Sequence, residues 1–228
     1  MKLQRLVAQA ALAGCLGAAG SAQAALTTFT SKAAFDAAIA GMSAAQTVDF
    51  ESVASGTTFA SGSGTGGLTF TYSIAGPSTL QVSSTFGTTS GSNYLGLDNP
   101  DTAFYLGDSF TINFNRTVHA VGLYVIAGRD AQAGDMVLSV TAGSVGNSAV
   151  ADTLVSDGQA FYLGLVESEI GSGFTSATLS GTFTPNAFLA FTTDDITSAV
   201  TAVPEPETWG LMLVGLGTLS ALARRRRR

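Results

Sequence analysis

Between residues 26 and 200 the chain runs in short stretches where apolar and polar residues alternate, separated by clusters of Gly, Ser, Thr and Asn. A period of two puts successive side chains on opposite faces of an extended backbone, so this pattern predicts many short strands, each with one buried face. The clearest is 109–114, where Phe110, Ile112 and Phe114 alternate with Thr111 and Asn113. The following stretch, 118–127, is apolar on both faces, as expected of a central strand covered on two sides, and Asn115-Arg116 is the predicted turn between the two. Further strands are predicted at 47–51, 68–74, 79–83, 94–97, 136–140, 150–155, 161–166, 177–183 and 188–192, roughly ten to twelve in all. One segment has the helical period instead: in 32–42, Phe35 and Ile39 recur four apart among alanines, with Ser31 placed to cap. The Gly/Ser-rich stretch 55–67 leads into a strand and not a helix, so it reads as a hairpin or loop and not a phosphate cradle. Strands recurring about every ten residues with turn signals between them predict an all-β, two-sheet sandwich with one short N-terminal helix.

The two ends depart from this pattern. At the start, Lys2 and Arg5 precede an apolar run over 6–19, and Ala22-Gln23-Ala24 places small residues at the two positions a signal peptidase reads. Residues 1–24 are therefore expected to be a signal peptide and Ala25 the first mature residue. Leu12-Ala13-Gly14-Cys15 also looks like the lipobox of bacterial lipoproteins, although 16–20 stays apolar where such a protein turns polar. At the other end, Pro204, Glu205 and Pro206 precede an apolar run over 209–223 and five arginines, Arg224, Arg225, Arg226, Arg227 and Arg228. The two prolines lack backbone donors and favour extended chain, which suits a segment held in a processing cleft. As a helix the fifteen-residue run reaches about 23 Å, short of the roughly 30 Å of hydrocarbon, so it spans with bilayer thinning or snorkelling arginines. Clustered arginine beside a membrane segment stays cytoplasmic, which leaves the body outside.

This ordered tail resembles the PEP-CTERM sorting signal of Gram-negative bacteria. The resemblance implies recognition by the membrane enzyme exosortase, cleavage near Pro204-Glu205-Pro206, an inner-membrane-anchored precursor, and a final place at the cell surface or in the extracellular matrix. It divides the chain into a signal peptide (1–24), a β-sandwich domain (25–200) and a sorting segment with a transmembrane helix (201–228).

Composition narrows what the body does. Cys15 is the sole cysteine, so a chain beginning at Ala25 has no disulfide and no thiol nucleophile, and its core alone must hold it. Between residues 25 and 203 there are three basic residues, Lys32, Arg116 and Arg129, against fourteen acidic ones, a net charge of −11 where the whole chain has −6. Such a body repels nucleic acid and anionic headgroups.

Candidate chemistry is sparse. His119, the sole histidine, lies within an apolar strand, where a Ser-His-Asp arrangement would need it at an exposed strand end, and one histidine with carboxylates is a poor zinc set. The acids would supply carboxylate pairs for glycoside hydrolysis, but their number alone is no signal. No catalytic residue is assigned and no cofactor is expected, apart from a candidate structural calcium. Calcium takes six to eight oxygens, and if the first and last strands of the sandwich lie side by side, Asp49 or Glu51 comes near Asp194 and Asp195. Tyr94 and Tyr105, in loop-like surroundings, are the candidate glycan-stacking residues. The order Asp-Phe-Glu, then Phe-Thr-Ile-Asn-Phe, then Phe-Thr-Thr-Asp-Asp-Ile looks similar to the extracellular jelly-roll domains that often precede PEP-CTERM tails, which in turn resemble carbohydrate-binding sandwiches. That resemblance implies association with the envelope or exopolysaccharide. The expectation is an exported, non-catalytic envelope protein, with signal peptidase, exosortase, the membrane and exopolysaccharide as partners; a carbohydrate-binding module and a polysaccharide-acting enzyme are the alternatives.

Overall fold

The computed structural model describes residues 26–128, 131–146, 152–153, 158–167, 173–182 and 190–201. The signal segment with Cys15, Ala22 and Ala24, and the tail from residue 202 with Pro204 to Arg228, lie outside them. The elements in chain order are β1 (Leu26–Phe29), α1 (Lys32–Ile39), β2 (Ser43–Val48), β3 (Thr58–Phe59), β4 (Leu68–Ser73), β5 (Leu80–Ser83), β6 (Tyr94–Leu97) and β7 (Phe104–Tyr105). They continue with β8 (Ser109–Val118), β9 (Ala120–Gly128), β10 (Met136–Val140), β11 (Gly143–Gly146), β12 (Asp152–Thr153), β13 (Gly158–Glu167), β14 (Phe174–Gly181) and β15 (Ala190–Val200). The described chain is thus all-β with two sheets and one helix, as the alternation predicts.

The larger sheet runs β1-β13-β9-β15-β6-β5-β3, with β12 beside β13 and with β2 and β7 also paired to β15; the smaller runs β11-β10-β14-β8-β4. Period-two patterning decides which side chains lie between the sheets. Phe70, Phe110, Ile112, Leu138 and Leu179 of the smaller sheet bury against Leu95, Leu123, Val125, Leu163 and Phe191 of the larger. Phe104 stacks between Phe110 and Phe191, with centroids 5.1 and 5.3 Å away, and so ties the two layers together. On the opposite face of the smaller sheet, Thr71, Thr111 and Thr178 stand in one row across three strands.

β9 is apolar on both faces because both are covered. Its inner face meets the other sheet, and its outer face lies under α1, where Phe35 and Ile39 pack on Ala120, Tyr162, Val166 and Ala199. The helix ends at Ile39, short of the predicted residue 42, and the Ser31 side chain makes no capping bond; its carbonyl accepts from Phe35 N at 3.0 Å.

β8 and β9 do not form the predicted hairpin. β8 runs on through Asn115 and Arg116, and the chain passes from one sheet to the other at His119. Val118 is still paired with Phe174 of the smaller sheet, while Ala120 is already paired with Val166 of the larger. Two backbone bonds hold the crossing: His119 N donates to Ala199 O at 2.8 Å, and Glu167 N donates to His119 O at 2.7 Å. Arg116 turns outward and donates to Ala44 O at 3.0 Å. Among the described residues no helix is long and apolar enough to cross a membrane; the 209–223 run lies outside them.

Candidate functional site

β15 is the strand on which the site is built. β9 flanks it on one side; on the other it meets β7, β6 and β2 in turn along its length. Its register with β9 shifts between Asp194 and Thr197, and Asp195 takes φ +53°, a left-handed conformation that Asp tolerates better than most residues. This bulge sits where the sequence places two adjacent acids.

Asp194 is fully buried. Its Oδ2 faces five donors from one loop: the Thr88 hydroxyl, Thr89 N at 3.2 Å, Thr89 Oγ1 at 3.0 Å, Ser90 N at 3.0 Å and Ser90 Oγ at 3.1 Å. Its Oδ1 accepts from Asp195 N at 2.8 Å. Burial pushes the Asp194 carboxyl above the ordinary carboxylate range; the Thr88 hydroxyl pulls it back, the neighbouring Asp195 charge adds to the rise, and the Asp195 and Ser90 amides oppose it.

The same loop is held at its far end by Glu51, whose Oε1 accepts from Ser92 N at 2.8 Å and Asn93 N at 2.6 Å. Asn93 reaches back to donate to Phe50 O and Val53 O at 3.3 and 3.0 Å. Asp49 serves the turn itself, accepting from Glu51 N at 3.1 Å. In the loop between β5 and β6, residues 84–93, the second half is therefore fastened by two carboxylates, Asp194 at 88–90 and Glu51 at 92 and 93.

The side-by-side placement of β2 and β15 is present, with Val48 opposite Ile196, and it brings the expected calcium acids to one loop. The chemistry differs from the expectation. Asp194 and Glu51 are faced by N–H and O–H donors, the surroundings of a satisfied anion, whereas a cation needs free oxygen lone pairs turned toward it. Among the described residues no group of three or more His, Cys, Asp or Glu side chains is gathered for a metal. The residues present do not fit calcium.

The two tyrosines expected at a glycan site are placed apart from that role. Tyr94 is fully buried, with its hydroxyl 2.7 Å from Thr102 Oγ1, so it offers no face to a sugar. Tyr105 donates its hydroxyl to Asp101, and that bond, with burial and the charges of Asp101 and Asp108, pushes its pKa up to about 12. The exposed aromatic is Phe86 instead. It is the one large hydrophobic side chain exposed among the described residues, at 52%, and it stacks on Tyr94 with centroids 6.4 Å apart and rings 23° from parallel. Nothing in the sequence distinguishes it from the core phenylalanines, because only the end of β5 at Ser83 puts it beyond the sheet.

His119 is buried, and its Nδ1 accepts from Thr201 N at 3.3 Å. The sole histidine thus meets the last described residue of the body, and residues 202–228 follow directly. Those residues match the PEP-CTERM protein-sorting motif over their whole span. The chain carries a PEP-CTERM sorting signal. Such a signal implies an exported protein sorted by exosortase from a membrane-anchored precursor. No curated protein sequence matches the chain. Among solved structures, the K2 cleaved adhesin domain of Lys-gingipain is similar with a TM-score of 0.44 and 13% identity, over 69% of this chain and 99% of that one. The PEP-CTERM signal therefore begins one residue beyond Thr201, where the folded body is still held by His119.

Proposed function

We propose that this is a non-catalytic envelope protein: a jelly-roll-like sandwich exported by its amino-terminal signal and held at the inner membrane by the 209–223 helix and Arg224 to Arg228. Exosortase then processes it for the surface or exopolysaccharide matrix of a Gram-negative cell. The observation that carries this reading is the sorting motif at 202–228. Physical chemistry supports the arrangement. A body with fourteen acids and three basic residues between 25 and 203 is repelled by anionic headgroups, so the arginine-flanked tail is its natural attachment to a membrane. The body's acids accept from backbone N–H groups, which suits structural duty: Asp108 bridges Ala75 N and Tyr105 N at 2.9 and 2.8 Å, Asp98 takes Thr79 N at 2.6 Å, and Glu167 takes Gly173 N at 2.6 Å.

The test replaces Pro204, Glu205 and Pro206 with alanine in the native host. The variant is expected to accumulate at full precursor mass in the inner-membrane fraction, while the wild type leaves it at lower mass. Equal fractionation and equal mass for the two would overturn the reading.

A further inference from the structure

We propose that the loop over residues 84–93 is a binding site for a neutral saccharide, with Phe86 as the ring on which the sugar packs. This deepens the envelope reading above and rests on it.

The argument starts from exposure. An aromatic ring left 52% exposed forfeits apolar burial that the other large side chains of the described body obtain. Phe86 also stacks on the buried Tyr94 ring while about half of the residue stays open to solvent. Tyr94 is itself fixed through its hydroxyl to Thr102. The backbone that follows the ring is fastened by Asp194 at residues 88–90 and by Glu51 at residues 92 and 93. A ring presented on a rigid loop loses little conformational freedom when it binds, which is the condition for useful affinity from a small contact.

Charge selects the ligand class. Residues 84–93 contain no ionisable side chain, and the three acids that touch the loop, Glu51, Asp194 and Asp195, each accept hydrogen bonds from its donors. Ser84, Thr85 and Ser92 of the same loop are exposed and add hydroxyls to its surface. The face of an aromatic ring is electron-rich; the C–H face of a hexopyranose is apolar and weakly positive and lies flat on it, while the sugar's hydroxyls meet those of the loop. A uronate or sulfated sugar would gain no cation here, and a cationic partner would find no free carboxylate on the loop.

The test uses the full-length protein in detergent, run by affinity electrophoresis through gels containing dextran, laminarin or galactomannan, with alginate as the charged control. Wild type is expected to be retarded by at least one neutral polymer and not by alginate. Phe86→Ala should bind that polymer at least about tenfold more weakly, Phe86→Trp should keep binding, and both should melt like wild type, because the side chain lies outside the core. Retardation by no neutral polymer, or equal retardation of wild type and Phe86→Ala, overturns the proposal. Fractionation of the same variants separates this from the envelope reading: Phe86→Ala is sorted normally if sorting is independent of the site. Correct sorting without binding removes the saccharide site alone, whereas binding by a wild-type protein that stays in the cytosol removes the envelope reading alone.

Discussion

At the scale of single residues, the body solves a problem set by its composition. Three basic residues cannot pair the fourteen acids between 25 and 203, and among the described residues the one ion pair is Lys32 Nζ to Asp36 Oδ2 at 2.6 Å. The buried acids are satisfied by backbone N–H and hydroxyl groups instead, a charge-assisted arrangement stronger than neutral hydrogen bonds. Asp194 is the extreme case, fully buried and with its carboxyl pushed up chiefly by burial. A carboxyl raised on folding contributes stability that is present below its unfolded value, about 3.9, and is lost as pH rises through the folded value. The stability of wild type relative to Asp194→Asn, which does not titrate, should therefore shrink as pH rises from about 4 toward neutrality. Thermal melts of both proteins at a series of pH values measure this, and a gap that is constant or widens would contradict it. The sequence displayed Asp194 and Asp195 but gave no sign that the donors would be Thr88, Thr89 and Ser90, because these lie more than a hundred residues away and are among many Ser and Thr residues of equal appearance.

At the scale of elements, the loop over residues 84–93 acts as a unit whose conformation depends on one glycine. Gly91 has φ +49°, and a side chain there would run into the Glu51 carboxylate. Gly91→Ala is expected to destabilise the protein by about 1–2 kcal/mol, and removing the Glu51 carboxylate should relieve part of that penalty. A double-mutant cycle with Glu51→Ala by denaturant titration checks this; strictly additive effects would mean that the two positions do not meet. Strands with a strict alternation, such as β4, β8 and β10, were legible within a residue or two at one or both ends, since burying one face fixes their register. The β8–β9 connection departs from the predicted turn because Asn115-Arg116 resembles a turn only locally, while the change of sheet at His119 is dictated by partners on β13, β14 and β15. β15 also runs to Val200, well past the predicted end at residue 192, because its bulge accommodates the acids that looked like a terminus.

At the scale of the whole molecule, net charge and sorting act together. A body of charge −11 with a single described ion pair is under self-repulsion, so its melting temperature should rise between about 10 and 150 mM NaCl as the Debye length falls from roughly 30 to 8 Å. Calorimetry at both salt concentrations reads the effect, and a falling melting temperature would show that attractive pairs dominate. By itself the sequence determined the sheet-rich class, the acidity, and the tripartite tail that the sorting motif matches, because period, charge count and contiguous motifs are local properties of a chain. The tertiary structure alone decided that Tyr94 is core, that Phe86 is outside, and that Asp194 and Glu51 fasten one loop instead of gathering around a cation. Those outcomes depend on which distant strands become neighbours, and burial and hydrogen-bond partners are properties of that pairing.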